Sequence, residues 1–129
     1  MNPNQLAQLL AERMQEVVPA GFTVECDPDG MLCFDDRASG SYAPQWLLKG
    51  YGDIEQRIQH ACWVALGDLQ DVVCEETTEP WPGTKVFPRA GALIDGGQVH
   101  LWYGDIREPS LRLRPIPLES PLADPLEED

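Results

Sequence analysis

His100, Asp105 and Ser110 are the residue types of a nucleophilic triad: a base, a carboxylate to orient it and a hydroxyl to attack. None of them sits in a nucleophile-elbow pattern. Each also reads as an ordinary strand histidine, turn aspartate and loop serine. His60 and Cys62 could each bind a metal, but helical positions two apart diverge by about 200°, so they cannot grip one ion together. No Cys-x-x-Cys pair occurs among the four cysteines, and Cys62 and Cys74 fall about three helical turns apart. Asp27, Asp29 and Gly30 lack the rest of a calcium-loop ligand pattern and are explained by a turn. Neighbouring acids such as Asp35-Asp36 and Glu75-Glu76 arise by chance in a chain with 22 acids against 9 bases. A hydrolytic pair needs a set separation across a cleft, and nothing in the sequence places one. No glycine-rich phosphate loop or dinucleotide fingerprint occurs. The expectation is no cofactor, no metal and no catalytic set.

The same acidity restricts partners. A net charge of −13 over 129 residues opposes contact with phosphate backbones and anionic lipid, where affinity comes from cations. Arg107, Arg112 and Arg114 cluster, but on a strongly negative body. The chain is expected to bind no nucleic acid and no membrane. No apolar run approaches the ~20 residues of a membrane span. The N-terminus lacks the basic start and apolar run of a signal peptide. A cytoplasmic protein with reduced thiols is the expectation, its cysteines serving as small hydrophobes.

The elements that must position these residues follow from periodicity. Leu6, Leu9, Leu10, Met14, Val17 and Val18 keep a helical rhythm over residues 3–18, with Asn2 as cap and Pro3 at the first position. Pro19 and Gly21 end that helix. A hairpin follows, turning at Asp27-Pro28-Asp29-Gly30, which opposes Val24 to Phe34 and Cys26 to Leu32. Phe22, Val24, Cys26, Leu32 and Phe34 then share a core face. Cys33 falls on the other face, so Cys26 and Cys33 cannot form a disulfide in this register.

Residues 35–52 read as a long loop, with Trp46, Leu47 and Leu48 in a short turn packed on the core. The second helix spans residues 53–77. Asp53 and Gln56 form a capping-box pattern, and Ile54, Ile58, Ala61, Cys62, Ala65, Leu69, Val72 and Val73 fall in one sector. Its opposite side is not cleanly polar, carrying His60, Trp63, Gly67, Gln70 and Cys74. A second hairpin pairs residues 90–94 with 98–103 around Gly96-Gly97. Its core face holds Ala90, Ala92, Ile94, Val99, Leu101 and Tyr103, and its outer face Leu93, His100 and Trp102. A last strand, residues 110–114, puts Leu111 and Leu113 inward before Pro115 and Pro117, as suits a sheet edge.

The order α-β-β-α-β-β-β predicts an α+β fold: one antiparallel sheet of about five strands with two helices on one face. Residues 1–118 read as a single domain. Residues 119–129 carry five acids and no base and read as a flexible acidic tail.

Trp81-Pro82-Gly83, His100-Leu101-Trp102-Tyr103-Gly104-Asp105 and Leu113-Arg114-Pro115-Ile116-Pro117-Leu118 carry a resemblance. The chain resembles small acidic uncharacterised proteins of high-GC Gram-positive bacteria. The likeness lies in the Pro-Asp-Gly-like first turn, the long central helix and the Trp-Pro-Gly segment, and covers most of the chain except the tail. It implies no activity, so no residue role transfers with it. A looser analogy of fold, to type III secretion chaperones, rests on small size, acidity and mixed helix and sheet; fold alone does not fix function.

What remains is surface. Trp63 and Gly67 interrupt the outer side of the second helix, and Leu93, His100 and Trp102 form an outward stripe. Outward aromatics beside a small residue suit a protein contact, though the 35–52 loop, or Trp46 and Trp81, could cover them. The leading expectation is a non-enzymatic interaction module, either a homodimer or one binding a basic protein partner. The alternative is an enzyme or small-ligand binder with a pocket near His100, Trp102 and the 35–52 loop.

Overall fold

The first helix starts at a reciprocal cap. Asn2 Oδ1 accepts the Gln5 N–H at 2.9 Å, and Gln5 Oε1 accepts the Asn2 N–H at 2.7 Å, opening α1 (Pro3–Gln15). Asp53 and Gln56 repeat the device at 2.9 Å each way for α2 (Ile54–Thr77). The computed structural model describes residues 2–35, 37–42, 52–83 and 88–118. The turn at Trp46, Leu47 and Leu48 and the tail at 119–129 lie outside the described residues. No helix among the described residues is long and apolar enough to cross a membrane.

Each helix is followed by an antiparallel meander. The first comprises β1 (Val24–Cys26), β2 (Met31–Phe34) and β3 (Arg37–Tyr42). Asp27 Oδ1 accepts the N–H groups of Asp29 and Met31 at 2.9 and 2.8 Å, and Gly30 takes a φ of 90°. That turn sets Val24 opposite Phe34 and Cys26 opposite Leu32, the register its residues predict. The second meander comprises β4 (Ala90–Asp95), β5 (Gln98–Gly104) and β6 (Pro109–Arg112), with β7 (Ile116–Pro117) returning to β5. Around Gly96 and Gly97, Ala90 opposes Tyr103 and Ile94 opposes Val99, again the expected register.

The structure differs from the sequence reading in four ways. First, α1 stops at Gln15 rather than Val18. The Val17 and Val18 N–H groups both turn back to the Met14 carbonyl, and both side chains still reach the core. Second, part of the expected 35–52 loop is strand β3, entered through Asp35 at a φ of 52°. Third, the strand expected over 110–114 is β6 and ends at Arg112, and a further strand, β7, follows Pro115. Trp102 pairs with Arg112 and Val99 with Ile116, so the register slips by one residue around Pro115 and the chain pairs with β5 again as β7. Fourth, the strands form two antiparallel sheets, one of three strands and one of four, rather than one sheet of five. The two helices therefore do not share one face of a single sheet.

One apolar core nonetheless joins both halves. Leu6, Leu10 and Met14 of α1, Leu32 and Phe34 of β2, Leu66 and Leu69 of α2, and Leu101 and Tyr103 of β5 are all fully buried within it. Each such side chain contributes roughly 1.5–3 kcal/mol by leaving water. Polar ties cross between the halves as well. Arg13 Nε donates to the Pro115 carbonyl at 3.3 Å, Arg114 meets Glu16 at 2.8 Å and Arg37 meets Glu76 at 2.7 Å.

Candidate protein interface

A helix lying over an antiparallel pair leaves a trough where its side passes the edge strand. Between α2 and β4 that trough measures about 410 Å³ and is lined by Trp63, Val64, Gly67, Gln70, Arg89 and Ala90, with acids from the helix at its rim. Trp63 is 49% exposed, its ring 5.6 Å from that of His60, and Val64 is also exposed. No described residue outside the helix's own backbone lies within 4 Å of where a Cβ on Gly67 would stand, so among the described residues the floor there is open. The helix is fixed beside this spot from below. The buried Tyr103 hydroxyl donates to the Leu66 carbonyl at 2.6 Å, and its ring meets Trp81 edge-on at 5.3 Å. Burial pushes the Tyr103 phenol well up, with the charges of Cys74 and Asp71 adding to it.

The backbone of β4 adds a second property. The Gly104 N–H donates to the Arg89 carbonyl at 2.8 Å, so Arg89 and Gly104 form a hydrogen-bonded pair. Hydrogen-bonded and non-hydrogen-bonded pairs alternate along an antiparallel ladder. Residues 88, 90, 92 and 94 therefore turn their backbone groups away from β5. Two glutamines of α2 satisfy the ends of that row. Gln59 Oε1 accepts the Ile94 N–H at 2.6 Å, and Gln70 Nε2 donates to the Pro88 carbonyl at 2.7 Å. Among the described residues, no partner reaches the outward N–H and C=O of Ala90 and Ala92.

A similar helix-to-edge tie occurs at the first sheet. Gln15 of α1 accepts the Val24 N–H at 2.7 Å and donates to the Phe22 carbonyl at 3.0 Å, beside a hollow that Gln8, Glu12 and Cys26 help to line.

The outer stripe of the second sheet lies on the opposite face from α2. Leu93 is 40% exposed and Ile106 half exposed, while His100 and Trp102 are partly buried. The indole of Trp102 lies across Gly91, its cross-strand partner, so closely that no Cβ fits there. Trp102 is thus covered within its own sheet on one side. A hollow of about 180 Å³ runs past Leu93, His100, Trp102, Ile106 and Arg112, and no described residue of the 35–52 segment lines it. Trp63 and Gly67 come together at one site, Leu93, His100 and Trp102 at another, and the two sites are separate.

Among the described residues, the three triad-type side chains each engage a different neighbour. His100 Nε2 lies 3.3 Å from the Asp95 carbonyl, Asp105 accepts the Arg107 N–H at 2.8 Å, and Ser110 stands beside Gly104. No three His, Cys, Asp or Glu residues among those described could share a metal ion. Burial pushes the Cys62 thiol up to about 12, and burial followed by the Asp27 charge raises Cys26, so both stay protonated and poorly nucleophilic near neutral pH. Arg114 is already engaged by Glu16, and Arg112 donates to the Ile106 carbonyl at 3.4 Å.

The outward side of Trp63 and Gly67 is legible from helical spacing. The Ala90–Ala92 edge is not, because the signal for it is the absence of a neighbouring strand. No family model, curated protein or solved structure matches the chain.

Proposed function

We propose that this chain is a non-enzymatic protein-interaction module that binds through the trough between α2 and β4. The observation that carries this reading is Trp63, half in water on a helix whose other side is packed, next to the open floor at Gly67. Tryptophan anchors of this kind dominate protein interfaces because they exchange a large wet area for a dry pocket. A basic partner suits the site better than a second copy, since two bodies each carrying −13 repel while a cation is steered in.

The test compares wild type and Trp63→Ala as baits in native lysate, with circular dichroism to verify folding. Wild type should retain a basic protein that the folded variant releases, a loss of about tenfold or more in affinity. Equal retention by both would overturn the reading. A dimer in sedimentation that Trp63→Ala dissolves would replace the basic partner with a second copy.

A further inference from the structure

We infer that the partner docks by strand addition: an extended, cationic segment lies in the trough and pairs its backbone with Ala90 and Ala92 of β4. This rests on the trough being the binding surface and names what fills it. Two independent features point to this occupant. Among the described residues, the outward N–H and C=O of Ala90 and Ala92 form a short edge without a partner, and the chemistry that satisfies such an edge is another extended backbone. The row is closed at both ends by Gln59 on the Ile94 N–H and Gln70 on the Pro88 carbonyl, so among the described residues the helix caps the two ends of the edge and not its middle. The second feature is charge. Asp71 stands exposed at the rim on the helix side, on a molecule of net charge −13, with Arg89 as the cation in the described lining.

An added strand would present alternate side chains to opposite faces. Those on one face would run along α2, where Trp63 and Val64 offer apolar contact and the open floor at Gly67 offers room. Those on the other would remain in solvent, where lysine or arginine meets the negative field of the body.

The experiment uses the full chain labelled with nitrogen-15 and a short synthetic peptide of alternating valine and lysine. Amide exchange at Ala90 and Ala92 should be fast in the free protein and slow severalfold or more when the peptide is added. Binding should weaken as salt rises. Three controls separate the causes. A peptide N-methylated at alternate residues keeps its side chains but loses the pairing groups, and should bind about tenfold more weakly. A valine–glutamate peptide should not bind. Ala92→Pro in the protein deletes an outward N–H that the ladder does not use, which an edge strand tolerates; it should lower affinity similarly. Should that variant misfold, the N-methylated peptide on wild type decides alone.

Equal binding by the N-methylated peptide, or shifts mapping to Leu93, His100 and Trp102 instead, would overturn strand addition. So would no binding by the valine–lysine peptide at millimolar concentration, or protection of Ala90 and Ala92 that grows with protein concentration without peptide. These failures leave the Trp63 reading standing, because that reading falls only if Trp63→Ala still retains its partner.

Discussion

Tyr103 shows how a single buried polar group can fasten a helix to a sheet. Its hydroxyl reaches the Leu66 carbonyl at 2.6 Å inside the core, one residue before Gly67. A buried, satisfied hydroxyl of this kind contributes about 1 kcal/mol. Tyr103→Phe should therefore lower the free energy of unfolding in urea by about that amount at neutral pH. The raised phenol also sets the sign of a pH effect. Stability from keeping it neutral is full below the ordinary phenol value of about 10 and is lost as pH rises through the higher folded value. Wild type should weaken in strong alkali, and Tyr103→Phe should weaken less over the same range. Cys62, raised by burial to about 12, keeps the variant's slope from vanishing. An identical alkaline loss in both proteins would show that Tyr103 does not titrate this way.

At the scale of elements, the sequence was most legible where turn and cap chemistry is local. Asp27-Pro28-Asp29-Gly30 and Gly96-Gly97 fix two registers that the structure repeats. Asp53 and Gln56 mark the start of α2 to the residue. Strand β3 was not legible, because Arg37–Tyr42 carries no alternation of large apolar side chains and its entry through Asp35 is an uncommon turn. The split into two sheets was hidden too, since which strands pair across a helix leaves no local trace. For the candidate site, helical spacing placed Trp63 and Gly67 outward but could not show Ala90 beside them. Gly67 gives a test at this scale. It sits inside α2 with open space where a methyl would go, so Gly67→Ala should gain helix propensity without a clash. Thermal unfolding should shift upward, by about 0.5–1 kcal/mol of stability. A lower melting temperature would mean that the helix needs that glycine for a reason other than propensity.

For the whole molecule, the two helix-then-meander halves share one core and are tied by Arg13 to Pro115, Glu16 to Arg114 and Arg37 to Glu76. Unfolding should be a single cooperative transition. Tryptophan fluorescence and far-ultraviolet dichroism should give coincident curves in denaturant, and two separated midpoints would show that the halves come apart one at a time. The caps on the edge of β4 carry one further consequence. An uncovered strand edge ordinarily invites endless stacking of neighbours into fibrils. Here Gln59 and Gln70 stand like bookends on either side of two alanines. A guest long enough to span the whole strand would have to evict both glutamines, so pairing along the full length of this edge costs two hydrogen bonds that a shorter segment would leave in place.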